Sequence, residues 1–413
     1  MRNSNQDSNK TPVVAWALYS WADSAFALCV LAAFFPVLLK NYYTTGNSTV
    51  ALGFANGISG ISAAILCPIV ASIIARNDLR QKSLTLFSIL GAATTVLLYF
   101  VQAGQYMPAL FLFAVANIFY RLSIMSHDSL LPAVADFKNR HRVSAIGFGA
   151  GYLGCTIVFI VSILTISHSG QIKHSLLIAG IWWIIFAIPL YTAKVGGRPR
   201  LTAINNWSPA DLKQTIAFAW NNPQIRIFLI AYWFYIDGVH SFVMMATDYG
   251  LSLGFSQKTL MYSLLIVQLT AFPFAIISGL SAAKFGAKRI LLISVFVYTT
   301  VTICAAWLMS EEWHFLLFAF LTGLVQGGIQ SVSRSYFSLI IPKDKSTELF
   351  GLFNTVGRFA VAAGPILIAL TVIFAQNLGF SETIPQRIGI SSLILPFALG
   401  FILLAKQPMK PIS

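Results

Sequence analysis

The chain runs to 413 residues, of which 57% are hydrophobic and only 10% charged, with a mean hydropathy of +0.75. A soluble domain carries about 25% charged residues, so a water-soluble globule is excluded and an all-α membrane protein is expected. The net charge of +14 calls for no nucleic-acid partner, because the lysines and arginines sit in short connections and are not gathered on one soluble face.

Apolar runs of about 20 residues, enough to cross a bilayer, fall at 12–39, 50–75, 83–103, 107–131, 143–166 and 174–193, then at 225–248, 258–282, 289–309, 314–341, 349–375 and 387–405. Twelve transmembrane helices in two six-helix pseudo-repeats are therefore expected: an N-terminal bundle over 1–193, a cytoplasmic linker over 194–224 and a C-terminal bundle over 225–413. With both termini cytoplasmic, twenty Lys and Arg lie on that side and four on the other, leaving Arg121, Arg334 and Arg358 inside spans. That asymmetry sets the orientation of a multi-pass membrane protein, for which a bacterial inner membrane is the expected location. The chain opens polar, and the apolar run that follows is too long for a signal-peptide core, so the first helix is expected to stay as an uncleaved membrane address.

Span one carries Trp16-Ala-Leu-Tyr-Ser-Trp-Ala-Asp-Ser-Ala-Phe26, with Asp23 amid apolar residues. A carboxylate at the centre of a membrane helix costs roughly 2.5–3.5 kcal/mol, so it faces a bundle interior and marks a substrate or proton path. Span seven repeats the pattern in Phe234-Tyr-Ile-Asp-Gly-Val-His-Ser-Phe242, where Asp237 lies 214 positions beyond Asp23. A duplicated bundle built around two matching carboxylates is the expectation.

The first cytoplasmic loop, Ala71 to Lys82, and its counterpart, Gly279 to Arg289, both place a cation five positions after a small residue, with more cations following. This spacing resembles the loop signature of the major facilitator superfamily, except that Ala75 and Ala283 stand where that signature has an acid. Between the halves, the turn-rich Gly196-Gly-Arg-Pro199 is followed by Ser208-Pro209-Ala-Asp211, an N-cap with proline at the first helical position, and by Leu212, Ile216 and Trp220 at helical spacing. Either a short amphipathic helix on the membrane face or a disordered tether fits. Span five carries Gly147, Gly149, Gly151 and Gly154, and span eleven Gly351, Gly357 and Gly364. They serve close helix packing or a hinge. Cys29, Cys67, Cys155 and Cys304 are isolated in apolar spans, so neither a disulfide framework nor a metal cluster is expected.

At 100° per residue the polar groups share faces. Span four aligns Asn117, Arg121 and Asp128, with His127 beside them, and span ten aligns Gln326, Gln330 and Ser333, with Arg334 at the edge. Span one aligns Trp16, Tyr19 and Asp23, and span seven Trp233, Asp237, His240 and Ser241. Two readings stand for the charges. Asp23 pairs with Arg121 and Asp237 with Arg334 as fixed salt bridges, or these groups contact substrate and protons during transport. Asp23, Arg121, Asp237, Arg334, Tyr19, Asn117, Trp233, Gln326 and Gln330 are the expected substrate contacts. Asp23, Asp128, Asp237, His127 and His240 are the expected proton-coupling or gating groups. Both signs of charge suit a zwitterion, since guanidinium grips a carboxylate bidentately while an aspartate meets an ammonium. A carboxyl in an apolar span can also carry a proton. Arg358, one turn after Asn354, is read as packing or as a substrate contact.

In these segments, and in Leu130-Leu-Pro132, Ser144 to Gly154, and Gly327-Gly-Ile-Gln-Ser-Val-Ser-Arg-Ser-Tyr-Phe337 with Ile341 to Ser346, the chain resembles the vacuole-effluxer branch of the major facilitator superfamily. The resemblance implies the twelve-helix major facilitator fold, with the first and fourth helix of each half lining a central cavity. Yeast relatives are associated with export of amino acids such as leucine. The family pattern carries an acid at the position of Ser20 and asparagine at those of Asp23 and Asp128, so the acid of helix one has here moved about 60° round the helix. The expected function is secondary active transport of small polar or zwitterionic solutes, proton-linked, by a monomer without cofactors whose partners are a small-molecule substrate, protons and the lipid bilayer. A siderophore, drug or lipid carrier and a non-transporting receptor or scaffold are the alternatives. With no nucleophile–base spacing, phosphate loop or metal-ligand cluster, an enzyme is not expected.

Overall fold

The computed structural model describes residues 10–43, 46–77, 79–135, 140–193, 195, 209–342, 345–380 and 383–407. These are helical almost throughout, in two compact units, Met1–Thr202 and Ala203–Ser413. Among the described residues eleven helices are long and apolar enough to cross a bilayer: Pro12–Tyr43, Ser48–Ala71, Arg80–Phe100, Tyr106–Leu131, Ile146–Ser169 and His174–Thr192 in the first unit, and Pro223–Ser252, Gln257–Phe285, Ala287–Trp307, Glu312–Ile340 and Ile384–Ala405 in the second. We number them as spans one to ten and twelve.

Span eleven departs from the expected single helix over 349–375. It is divided into Ser346–Phe359 and Ala363–Asn377, with Ala360, Val361 and Ala362 in a turn between. Span one is also irregular, since its α-helix Lys10–Ala25 widens into π-helical turns at Phe26–Phe34 and Leu39–Tyr43, directly after Asp23. Such widened turns gather at functional positions. In the linker the helix Pro209–Asn221 is present, with Thr215 and Ala219 buried and Ile216 and Trp220 exposed. The Gly196–Pro199 turn, the Ser208 cap and the Ala75 and Arg76 side chains lie outside the described residues.

The same helix pairs pack in each unit: one on five and six, two on four, three on four and six, and in the second unit seven on eleven and twelve, eight on ten, nine on ten and twelve. The small residues account for the closest seams. A Cβ on Gly154 would lie 2.6 Å from the Trp21 carbonyl oxygen, one on Gly147 would strike Trp16 and one on Gly151 would press on Ser20, whereas Gly149 faces open space. Packing is thus what Gly147, Gly151 and Gly154 do for span one.

Each repeat also ties its third helix to its sixth at both ends. Gln81, at the start of span three, donates Nε2 to the carbonyls of Leu190 (2.8 Å), Tyr191 (3.1 Å) and Ala193 (2.7 Å) at the end of span six. Lys288, at the start of span nine, donates Nζ to Ala405 (2.9 Å) and Gln407 (2.5 Å) at the end of span twelve. At the opposite ends Lys173 donates to the Val101 carbonyl (2.6 Å), and Arg387 to the carbonyls of Ala306 and Met309 (2.7 Å each). The last carbonyls of a helix have no partner within it and carry its negative end. A cation or amide from the neighbouring helix satisfies both demands.

Candidate functional site

In the N-terminal unit a polar chain crosses from span two to span four. Asn117 Nδ2 donates to Ser59 Oγ at 2.8 Å and reaches Asn56 Oδ1 at 3.5 Å. Its Oδ1 accepts from Arg121 Nε at 3.1 Å, one helical turn away. Asn117 is wholly buried, so its part is to hold the arginine. The guanidinium is thereby fixed at Nε, while its two terminal nitrogens donate no hydrogen bond to the described residues. A fork held this way keeps the edge that matches a carboxylate.

Asp23 is 7% exposed, and no cation or side-chain donor among the described residues reaches its carboxylate. Asp128 of span four, which is exposed, stands within electrostatic reach of it, as do Tyr19 and Tyr120. The Asp23–Arg121 salt bridge expected as one reading is not seen among the described residues: Arg121 Nε goes to Asn117, and the charged group within electrostatic reach of Asp23 is Asp128. Tyr19 is fully enclosed, so it backs Asp23 from within the packing.

His127 bolts span one to span four. Its ring stacks on Trp16 with centroids 4.3 Å apart at 15°, its Nε2 lies 2.9 Å from the Trp16 carbonyl, and Trp16 Nε1 donates to the His127 carbonyl at 3.0 Å. A carbonyl only accepts, so Nε2 carries the hydrogen. Nδ1 lies 4.0 Å from Asp128 Oδ1.

In the C-terminal unit Asp237, 3% exposed, accepts from the backbone N–H of Gly364 at 3.1 Å through Oδ1. Gly364 is the second residue of Ala363–Asn377, so the carboxylate caps the N-terminus of the half-helix. A hydrogen bond to a charged group contributes about 1.5–3 kcal/mol, and an anion at a helix N-terminus adds up to about 2 kcal/mol in a partly buried setting. No ion pair links Asp237 to Arg334 among the described residues; Arg334 lies near Tyr232 instead. Gln326 Oε1 and Thr322 Oγ1, one turn apart on span ten, are buried without hydrogen-bond partners among the described residues. Gln330, Trp233 and His240 are partly buried, with Trp233 edge-on to Phe234 at 5.0 Å. The Arg358 side chain lies outside the described residues.

Sequence periodicity alone misses three participants. Asn56 and Ser59 are polar residues three apart in an apolar helix, which is a detectable signal. Gly364 precedes Pro365, a dipeptide that favours a helix boundary. No group of three or more potential metal ligands occurs among the described residues.

The family model described as "Vacuole effluxer Atg22 like" matches residues 45–381. Among curated relatives, an uncharacterized MFS-type transporter, YxiO, of Bacillus subtilis (strain 168) is 34% identical, covering 95% of this chain and 94% of its own. Autophagy-related protein 22 of Vanderwaltozyma polyspora is 22% identical over 90% and 88% respectively. Among solved structures, the nucleoside transporter NupG superposes with a TM-score of 0.70 at 15% identity, over 96% of this chain and 98% of the other. A D-xylose–proton symporter gives 0.72 at 14% identity, over 98% and 99%. At such identities the likeness is one of fold.

Proposed function

The chain belongs to the vacuole effluxer Atg22-like family of major facilitator transporters, and from that premise we propose that it moves small zwitterionic solutes of the amino-acid kind across a bacterial inner membrane, with both termini cytoplasmic. The observation that carries the substrate class is the anchored guanidinium of Arg121, with Nε held by Asn117 and its terminal nitrogens unclaimed by the described residues. That fork receives a carboxylate bidentately. Asp23, buried and without a counter-cation among the described residues, supplies the complementary acceptor for an ammonium group or a proton. A buried ionised carboxylate left unpaired is costly, so substrate or proton is its natural partner in the cycle, with Asp128 and Tyr120 beside it. Asp237, engaged by backbone, takes the gating part. Trp233, Gln326, Gln330, Arg334 and His240 are the corresponding polar groups of the second repeat. The protein works as a monomer, and movement is proton-linked and proceeds by alternating access.

The test is solute counterflow in proteoliposomes of the purified protein across amino acids, peptides, nucleosides and sugars. Exchange of amino acids that is lost in Asp23→Asn and Arg121→Ala supports the reading. Wild-type rates in both variants, or exchange of uncharged solutes only, would overturn it.

A further inference from the structure

In the N-terminal unit the Ser24 hydroxyl donates to the Gly151 carbonyl at 2.9 Å, across the seam between spans one and five. In the C-terminal unit the Gly364 amide donates to Asp237 at 3.1 Å, across the seam between spans seven and eleven. Both pairs are 127 residues apart in sequence and join corresponding helices of their repeat. Ser24, not Asp23, therefore stands where Asp237 stands, and the two acids in matching apolar runs are one residue out of register.

The exchange of serine for aspartate inverts the bond. A hydroxyl can donate to a carbonyl already in use, because the oxygen has two lone pairs, and the helix Arg140–Ser169 runs unbroken through Gly151. An ionised carboxylate only accepts, and an N–H inside a helix is already bonded to the carbonyl four residues back. To meet Asp237, the facing helix has to release an amide. Span eleven does so beyond its turn at Ala360–Ala362.

Pro365 is not enough to explain that break. A proline removes its own N–H and crowds the carbonyl four residues back; Pro189 and Pro273 nevertheless lie inside continuous helices here, whereas Pro396 follows a turn at Ser392–Leu393 in span twelve, so proline alone does not decide the outcome. The close approach depends on Gly364, where a Cβ would collide with Ser241 Oγ and come within 3.1 Å of Asp237 Oδ2. Ser241, one turn along from Asp237, is fully buried, and its hydroxyl has no partner among the described residues.

We infer that Asp237 is a positioning residue that keeps span eleven divided, and that release of Gly364 from it lets the two half-helices rejoin during the transport cycle. The role in the cycle rests on the transporter reading above; the division of the helix does not. The experiment is amide hydrogen exchange across Val361–Gly364 in the full chain in lipid nanodiscs, paired with counterflow. Asp237→Ser, which installs the residue of the first repeat, is expected to slow exchange there by roughly tenfold or more. It should lower turnover with half-saturation changed by less than about twofold, while Pro365→Ala leaves exchange fast. Unchanged exchange in Asp237→Ser, or equal slowing by Pro365→Ala alone, would overturn the inference, as would a turnover that stays at the wild-type level. Should Asp237→Ser fail to insert, Asp237→Ala carries the same outcomes. If the wild-type protein exchanges no solute at all, the transporter reading falls while the hydrogen-exchange result stands by itself.

Discussion

Arg121 is anchored through Nε, and that single bond separates it from a lysine at the same place. An ammonium is a point charge with no Nε to tie to Asn117 and no planar fork. Losing one charge-assisted hydrogen bond costs about 1.5–3 kcal/mol, so Arg121→Lys should raise the half-saturation constant for carboxylate-bearing solutes by roughly 10- to 100-fold in counterflow. Asn117→Ala should shift it in the same direction by less, since the charge remains but is no longer aimed. His127 gives the contrasting case. Its bond to the Trp16 carbonyl and its stack on the indole make it a fastener, so His127→Phe should lower thermal stability by about 1–3 kcal/mol and leave the pH profile of transport in place. A displaced pH profile would return it to the proton path. Periodicity marked Asn117 and Arg121 as neighbours because residues four apart on one helix must share a face. Of its two readings for Asp23, the fixed pair with Arg121 is not seen among the described residues, because opposite charge tells which groups attract and not which faces two helices present to each other.

Helix by helix, the close seams depend on where a side chain would have to fit. Gly154→Ala places a methyl 2.6 Å from the Trp21 carbonyl and 2.7 Å from the Trp21 ring. It should destabilise the purified protein by about 1–3 kcal/mol, read as a lower Tm, whereas Gly149→Ala, in open space, should change nothing. Equal effects would show that the seam between spans one and five relaxes freely. The break in span eleven was hidden in the sequence for a physical reason. Ala360–Ala362 are apolar, so hydropathy runs straight across them, and proline in a membrane helix is tolerated when neighbours satisfy the freed groups. On the inference above, what keeps the helix divided is an acceptor on a different helix, and within 346–377 only Gly364-Pro365 marks the boundary. The π-helical turns after Asp23 likewise carry no compositional mark.

Across the whole molecule, the repeat shows in pairing as well as in span count. The third and sixth helices of each half are tied at both ends by side chains to C-terminal carbonyls, with Gln81 in the place taken by Lys288 and Lys173 in that of Arg387. Because the acceptors are carbonyls, any donor of sufficient reach serves. Lys288→Gln should therefore keep the Tm near that of the wild type, and Lys288→Leu should lower it by about 1–3 kcal/mol of stability. A similar loss in both would show that charge, not donation, holds that end. The span count and the charge asymmetry were legible from composition, since length and hydropathy are what a bilayer demands. The register between repeats was not, because two acids in matching apolar runs look equivalent until the contacts of Ser24 and Asp237 are compared.

Whether Arg121 presents its guanidinium fork to a carboxylate of the solute is decided by counterflow with a matched pair of solutes. Proteoliposomes of the purified wild-type protein should exchange a neutral amino acid such as leucine and fail to exchange its carboxamide, a discrimination that Arg121→Lys should reduce by about tenfold or more. Equal exchange of the acid and the carboxamide by the wild type, or an Arg121→Lys protein that still separates them as well as the wild type does, would contradict it.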